Sequence, residues 1–160
     1  GEVDGKILNG PNDVIVDTDD KIWCTDPGYG ILSNDEGNRG IAELPTRVYR
    51  FDPHKGRTSI VTEALARPNG LCFSPDQSIL YVVDTGCTDD PQYHRTIMKF
   101  DVLAGGCVGK PEAFCDLSPG RSADIRCDVD GNIWSATGFG GPATHDVRVV
   151  APSGPLIVGI

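Results

Sequence analysis

The chain repeats itself. The segments NDVIVDTDDKIWCTD from Asn12, NGLCFSPDQSILYVVD from Asn69 and ADIRCDVDGNIWSAT from Ala123 follow one pattern. Counted from those three residues, offsets +2 and +4 are apolar: Val14 and Val16, Leu71 and Phe73, Ile125 and Cys127. Offset +5 is polar (Asp17, Ser74, Asp128) and offset +7 is aspartate each time (Asp19, Asp76, Asp130). An apolar stretch bearing an aromatic follows, with Trp23, Tyr81 and Trp134. The three starting points are 57 and 54 residues apart.

Each unit reads as a hairpin. Two-residue alternation buries one face of a first strand, the Asp-rich stretch turns the chain, and the aromatic-bearing strand returns. Two more strand-like segments lie between successive units, RVYRFD from Arg47 with TSIVTE from Thr58, then TIMKFDV from Thr96 with EAFCDL from Glu112; DVRVVAPSG from Asp146 begins the same way. Four antiparallel strands per repeat make the blade of a β-propeller. No window shows a helical period, and 20 Gly with 12 Pro suit short strands and turns. A period near 55 fits about three blades into 160 residues, whereas a closed ring needs at least four. Tandem β-sandwiches would have units nearer 100 residues. The expectation is an all-β chain, residues 1–160 forming part of a single propeller domain.

Charge narrows the partners. The formal net charge is −9, against a nucleic-acid ligand, which wants a basic face, and against an anionic membrane surface. No apolar run approaches the ~20 residues of a membrane span. The opening GEVDGKILNGPND lacks the basic and apolar regions of a signal peptide, so a cytoplasmic location is expected. Cys24, Cys72, Cys87, Cys107, Cys115 and Cys127 show no C-x-x-C spacing and read mostly as buried, reduced thiols. The chain ends on the apolar GPLIVGI. A strand there has an open edge, so an incomplete domain is expected, with apolar end faces that promote self-association.

Asn12 and Asn69 occupy the same offset of the same repeat. In a propeller the first strand of each blade starts beside the central channel, where converging amide and carboxylate oxygens suit a hard cation. Equally, Pro-Asn-Asp and Pro-Asn-Gly are ordinary turn sequences. Other motifs fail. DVDGN from Asp128 has Gly131 fourth and Phe139 twelfth, where an EF-hand needs Gly sixth and Glu twelfth; it reads as a hairpin turn. GGCVGKP from Gly105 lacks the phosphate-loop spacing. His54, His94 and His145 share no ligand spacing, and no G-x-S-x-G elbow is present. The polar segment SNDEGNRGIAELP, residues 33–45, is either a cover for the channel mouth or a variable insertion.

Five motifs in order complete the reading: Leu8-Asn-Gly-Pro-Asn-Asp-Val, Trp23-Cys-Thr-Asp-Pro-Gly-Tyr-Gly, Arg67-Pro-Asn-Gly-Leu-Cys-Phe-Ser-Pro-Asp, Tyr81-Val-Val-Asp-Thr-Gly and Arg126-Cys-Asp-Val-Asp-Gly-Asn-Ile-Trp. They resemble the gluconolactonase/regucalcin (senescence marker protein) family across essentially the whole chain. The resemblance implies a six-bladed propeller that holds one divalent cation in its channel, calcium first, with zinc or magnesium as alternatives. It implies hydrolysis of sugar lactones as the reaction; a close relative is a phosphotriesterase. It makes Asn69 a metal ligand and Asn12 the Asn beside metal and substrate. The family's Glu ligand has no match. Its Asp ligand falls by register on Ala123, with Asp124 next to it.

Neighbours in a strand face opposite ways, so Asp124 serves as ligand and as general base only if a bulge re-aims it. The reaction then follows metal-hydrolase chemistry, with the cation polarising the lactone carbonyl and Asp124 taking the proton of the attacking water. A shell of two amides and one uncertain carboxylate binds calcium weakly, so this chain is expected to show little lactonase activity, and Ala123→Asp to increase it. The alternative is a non-catalytic propeller serving as a binding or scaffold module, which Ala123 favours. Oligomeric state is left open.

Overall fold

The computed structural model describes residues 1–160 apart from 36, 94, 139, 140, 142, 143 and 160. Of the motif residues above, His94 and Phe139 lie outside the described residues.

A two-stranded ribbon, β1 (Glu2–Val3) and β2 (Lys6–Ile7), opens the chain. Three four-stranded antiparallel sheets follow, each a meander in chain order. The first blade is β3 (Val14–Val16), β4 (Ile22–Asp26), β5 (Arg47–Asp52) and β6 (Arg57–Thr62). The second is β7 (Pro68–Phe73), β8 (Ile79–Asp84), β9 (Thr96–Asp101) and β10 (Glu112–Asp116). The third is β11 (Arg121–Cys127), β12 (Ile133–Gly138), β13 (Asp146–Val150) and β14 (Leu156–Gly159). The repeat read from the sequence thus becomes three propeller blades, with β3, β7 and β11 as the innermost strands. No helix of the described residues is long and apolar enough to cross a membrane.

Blades pack through alternating side chains. On β8, Leu80 and Val82 join Trp23, Val48, Leu71 and Phe100 between the first and second blades. Their neighbours Tyr81 and Val83 join Ile97, Ile125, Ile133 and Val150 between the second and third. This two-sided burial explains why ILYVVD is almost unbroken apolar sequence. The end blades are covered on one side only. Val14 and Val16 are 57% and 56% exposed, Trp134 42%.

The +5 residues hold the hairpin turns. Asp17 accepts the Trp23 indole N–H at 2.8 Å and the backbone N–H groups of Asp19 and Lys21. Asp128 does the same with Trp134, Asp130 and Asn132. The Asp128 loop is therefore the hairpin connection between β11 and β12, its left-handed position filled by Gly131 (φ 86°). The Trp134 indole and the Asn132 amide hold the Asp128 carboxyl down at about 2; the Ser74 hydroxyl and the Ser78 N–H and hydroxyl do the same for Asp76. The folded values lie below the unfolded one, so these turns stabilise the fold above pH ~4 and lose that contribution as pH falls toward 2. Urea midpoints compared at pH 5, 3.5 and 2.5 should fall, and Asp128→Asn should flatten the fall. An equally steep fall in Asp128→Asn would contradict this assignment.

All six cysteines are free thiols. Cys72 and Cys87 are buried, Cys107 is exposed and the other three are half-buried. Burial pushes the Cys24 thiol up to about 11, Asp26 adding to the effect, and raises Cys72 further. His54 is exposed in the β5–β6 turn.

Candidate functional site

The three inner strands begin around one cavity of about 280 Å³, lined by Asn12, Asn69, Ala123, Ser122, Arg121 and a wall of Tyr29, Leu32, Thr85 and Thr88. None of the described residues 33–45 lines it. Near the end of that segment, Leu44 is buried with Val3 and Tyr49.

Asn12, Asn69 and Ala123, the three equivalent residues of the repeat, thus come together. Asn69 is buried, and its Oδ1 is buried without a hydrogen-bond partner among the described residues. Asn12 is exposed to the cavity side, its backbone N–H donating to Thr25 O at 2.9 Å. Asp124 is exposed and does not line the cavity. A bulge does precede Ile125: pairing steps from Ser122↔Thr137 to Ile125↔Ser135. The same bulge precedes Leu71, where pairing steps from Pro68↔Asp84 to Leu71↔Val82. Because both blades carry it, the bulge keeps Ala123 level with Asn69 and Asp124 level with Gly70. It does not bring Asp124 to the place of Asn69.

Gly70 explains the convergence. A Cβ there would sit 2.4 Å from Ala123 O and 2.7 Å from Asp124 Cα, so only glycine lets β7 approach β11 this closely. Beside it, Asp13 ties the three blades together. It is buried on the first blade; its Oδ2 accepts the backbone N–H of Leu71 at 3.0 Å and Arg126 Nη1 at 2.9 Å, and its Oδ1 accepts Arg126 Nη2 at 3.1 Å. The bulge frees the Leu71 N–H from its own sheet and Asp13 takes it up. Sequence reasoning passed over Asp13 as part of a Pro-Asn-Asp turn.

Two further buried carboxylates set the loops that lead into the inner strands. Asp84 accepts the N–H groups of Ala66, Arg67 and Gly86. Asp26, at the end of β4, accepts the Asn9 N–H at 3.0 Å. Burial pushes its carboxyl up, against the lowering by the Asn9 and Gly10 N–H groups.

The wall of the cavity is a chain of hydroxyls. Thr85 Oγ donates to Arg67 O at 3.0 Å, Tyr29 Oη lies 2.7 Å from Thr85 Oγ and 3.0 Å from Thr88 Oγ, and Arg121 Nη1 donates to Thr88 Oγ at 2.8 Å. Arg67 lies over the Tyr29 ring at 5.5 Å and pairs with Asp89, fixing the rim. The resemblance motifs contained Pro-Gly-Tyr-Gly and Asp-Thr-Gly without revealing that they meet.

Among the described residues no three of His, Cys, Asp and Glu gather to hold a metal, and Arg121 is the only charged residue lining the cavity. Asn69 Oδ1, a buried oxygen that accepts nothing, fits one position of an oxygen shell, and Asn12 offers a second. Among the described residues, no carboxylate of the kind tight calcium binding requires lines the cavity.

Known proteins place the chain. The model of the SMP-30/Gluconolactonase/LRE-like region matches residues 2–160. A solved gluconolactonase from Xanthomonas campestris superposes on all of the chain with a TM-score of 0.87 and 32% identity, the match covering 50% of that protein. A lactonohydrolase of Aspergillus oryzae is 29% identical over 154 residues, 85% of this chain and 35% of its own length. A gluconolactonase of Zymomonas mobilis is 40% identical over 79 residues, 49% of this chain and 21% of its own. A calcium-binding regucalcin from Agrobacterium tumefaciens shares the fold at a TM-score of 0.69 and 24% identity, covering 93% of this chain and 44% of that one. The chain spans half the length or less of the relatives it matches. On the family match and the shared blades, the chain belongs to the SMP-30/gluconolactonase/LRE-like family.

Proposed function

We propose that this chain carries part of the active site of a metal-dependent hydrolase of sugar lactones, and that the cavity between β3, β7 and β11 is where the lactone sits. The observation that carries the reading is Asn69. A buried acceptor with no donor costs about 1–3 kcal/mol, and a cation or a donor group supplied by the substrate offsets that cost.

Asn69, with Asn12 beside it, would hold a divalent cation, calcium first and zinc or magnesium as alternatives. Bound there, the cation supplies positive charge that polarises the lactone carbonyl. The chain's own contribution is orientation. Asn12 and the hydroxyls of Tyr29, Thr85 and Thr88 offer hydrogen bonds to ring hydroxyls, and Leu32 and Ala123 supply apolar surface. In the reaction, water oxygen bonds to the carbonyl carbon, the ring C–O bond breaks, and the ring oxygen takes a proton to become a hydroxyl. No lining residue described is a carboxylate or an imidazole, so no proton acceptor is assigned; Asp124 lies outside the lining.

The second reading, a propeller that binds without catalysis, is favoured by Ala123, which presents a methyl group level with Asn69. Hydrolysis of D-glucono-δ-lactone with calcium present, followed by acid release, separates the two. The hydrolase reading expects a wild-type rate close to the uncatalysed one and a gain in Ala123→Asp. Adding Asn69→Ala should then remove the gain, by about the 10–100-fold typical when support of a metal is lost. No gain in Ala123→Asp would leave the binding reading standing.

A further inference from the structure

The two interfaces between blades are built alike, and the repeat shows which residues make them. In the first and second blades the returning aromatic faces the following blade. Trp23 is 1% exposed beside Leu71, Leu80 and Phe100 of the second blade, and its ring meets Phe73 edge-on at 5.2 Å. Tyr81 is 3% exposed beside Ile125, Ile133 and Val150 of the third. In the second and third blades offset +2 faces the preceding blade. Leu71 is 0% exposed against the first blade and Ile125 1% against the second. Phe73 and Cys127, at +4, pack in the same two clusters.

The same positions are bare on the two outer faces. Trp134, the third returning aromatic, is 42% exposed. Val147 shares its face, since Trp134 pairs with Val149 and Ala136 with Val147, and it too is exposed. On the first blade the +2 and +4 residues, Val14 and Val16, are 57% and 56% exposed. Pairing of Val14 with Cys24, Cys24 with Tyr49 and Tyr49 with Ile60 puts exposed Ile60 on that face as well. Val3 and Leu44 shelter Tyr49 there and leave Val14, Val16 and Ile60 in water. The outer face of the third blade is thus the kind that this chain covers twice with a +2/+4 face. The outer face of the first blade is the kind that does the covering. Each matches the other and neither matches itself.

Unlike faces on opposite sides of one unit join head to tail, and the assembly closes where the rotation returns to its start. The chain superposes on half the length of the Xanthomonas gluconolactonase at a TM-score of 0.87, so two copies supply the content of one such protein. Two times three blades is six, within the four to eight of closed propellers. We propose that a second copy of this chain seats on both outer faces at once and closes a two-fold ring. Trp134 then packs on Val16 of the partner subunit as Trp23 packs on Phe73. The inner strands of both copies surround one channel, so the cavity beside Asn12, Asn69 and Ala123 gains its opposite wall from the partner. The inference does not depend on lactone hydrolysis.

Sedimentation equilibrium of the 160-residue chain at pH 7 tests it, in 0.15 M NaCl to screen the repulsion between two copies of net charge −9. The expected mass is twice the 17.1 kDa of one chain, with no larger species as concentration rises. Tryptophan emission should shift to the blue as the dimer forms, because Trp134 leaves water. Val16→Glu and Trp134→Glu each bury a carboxylate in both interfaces of the ring, and each should weaken the dimer at least roughly a hundredfold. Mixed one to one, the two variants should dimerise more tightly than either alone, because one interface of the mixed pair is unaltered. Val147→Glu serves where the Trp134 variant does not fold. A monomeric wild-type chain overturns the proposal. So does a series of growing polymers, a dimer broken by one of the two variants and not by the other, or no gain on mixing.

Discussion

Replacing Asp13 by Ala should lower the stability of the chain by about 3 kcal/mol. The change strands two partners at once. The Leu71 N–H, which the bulge in β7 removes from its ladder, becomes a buried donor without an acceptor, at about 1–3 kcal/mol. The Arg126 guanidinium loses a bidentate partner in which both carboxylate oxygens take part. Arg126 is 59% exposed at its side chain, so its share is smaller than for a buried pair. For a chain of this size, such a loss corresponds to a fall in Tm of about 6–12 °C. Arg126→Met, which leaves Asp13 with its backbone N–H groups, should cost about 1 kcal/mol or less. Thermal unfolding of both variants followed by circular dichroism checks the ordering. Loss of less than 1 kcal/mol in Asp13→Ala, or a larger loss in Arg126→Met, would show that the tie between blades is not made at Asp13.

Gly70→Val should be at least as damaging, and for a different reason. The first added carbon already meets backbone atoms of β11, 2.4 Å from Ala123 O, 2.7 Å from Asp124 Cα and 2.9 Å from Ile125 N. No side-chain rotation relieves such contacts, since the obstructing atoms belong to the inner strand of the neighbouring blade. The blades must separate, and overpacking of this kind costs about 3 kcal/mol or more. The separation also opens the cavity between Asn69 and Ala123. Gly56→Ala, at a turn where an added Cβ meets nothing within 4 Å, is the control, carrying only the strain of its φ of 59°. A Gly70→Val chain with wild-type unfolding midpoint and Asn69 side-chain amide chemical shift would contradict the packing described.

The blades were legible because their physics is local. Alternation of Val14 with Val16, Leu71 with Phe73 and Ile125 with Cys127, the turn aspartates, and the returning aromatic all lie within one hairpin. Asn12, Asn69 and Ala123 fall on one cavity because equal offsets in equal blades share one orientation. What stayed hidden depends on contacts between blades. Asp13 looks like a turn residue until Leu71 and Arg126 are seen to reach it from 58 and 113 positions away. Tyr29, Thr85, Thr88 and Arg121 come from three blades or their loops and share no spacing. The bulge at Asp124 was foreseen as the condition for its service. The matching bulge at Gly70, which keeps Ala123 in the Asn69 position, could not be foreseen from one strand alone.

Calorimetric titration with calcium tests most directly whether a cation site is built on Asn69 and weakened by Ala123. The wild-type chain should bind weakly, with a Kd of about 1 mM or higher, as a shell of neutral amides implies. Ala123→Asp should tighten binding by roughly tenfold or more, since charge count among the ligands sets affinity, and Asn69→Ala should abolish binding in both backgrounds. Micromolar calcium binding by the wild-type chain that persists in Asn69→Ala and is lost in Asp124→Asn would contradict the account and place the site at Asp124.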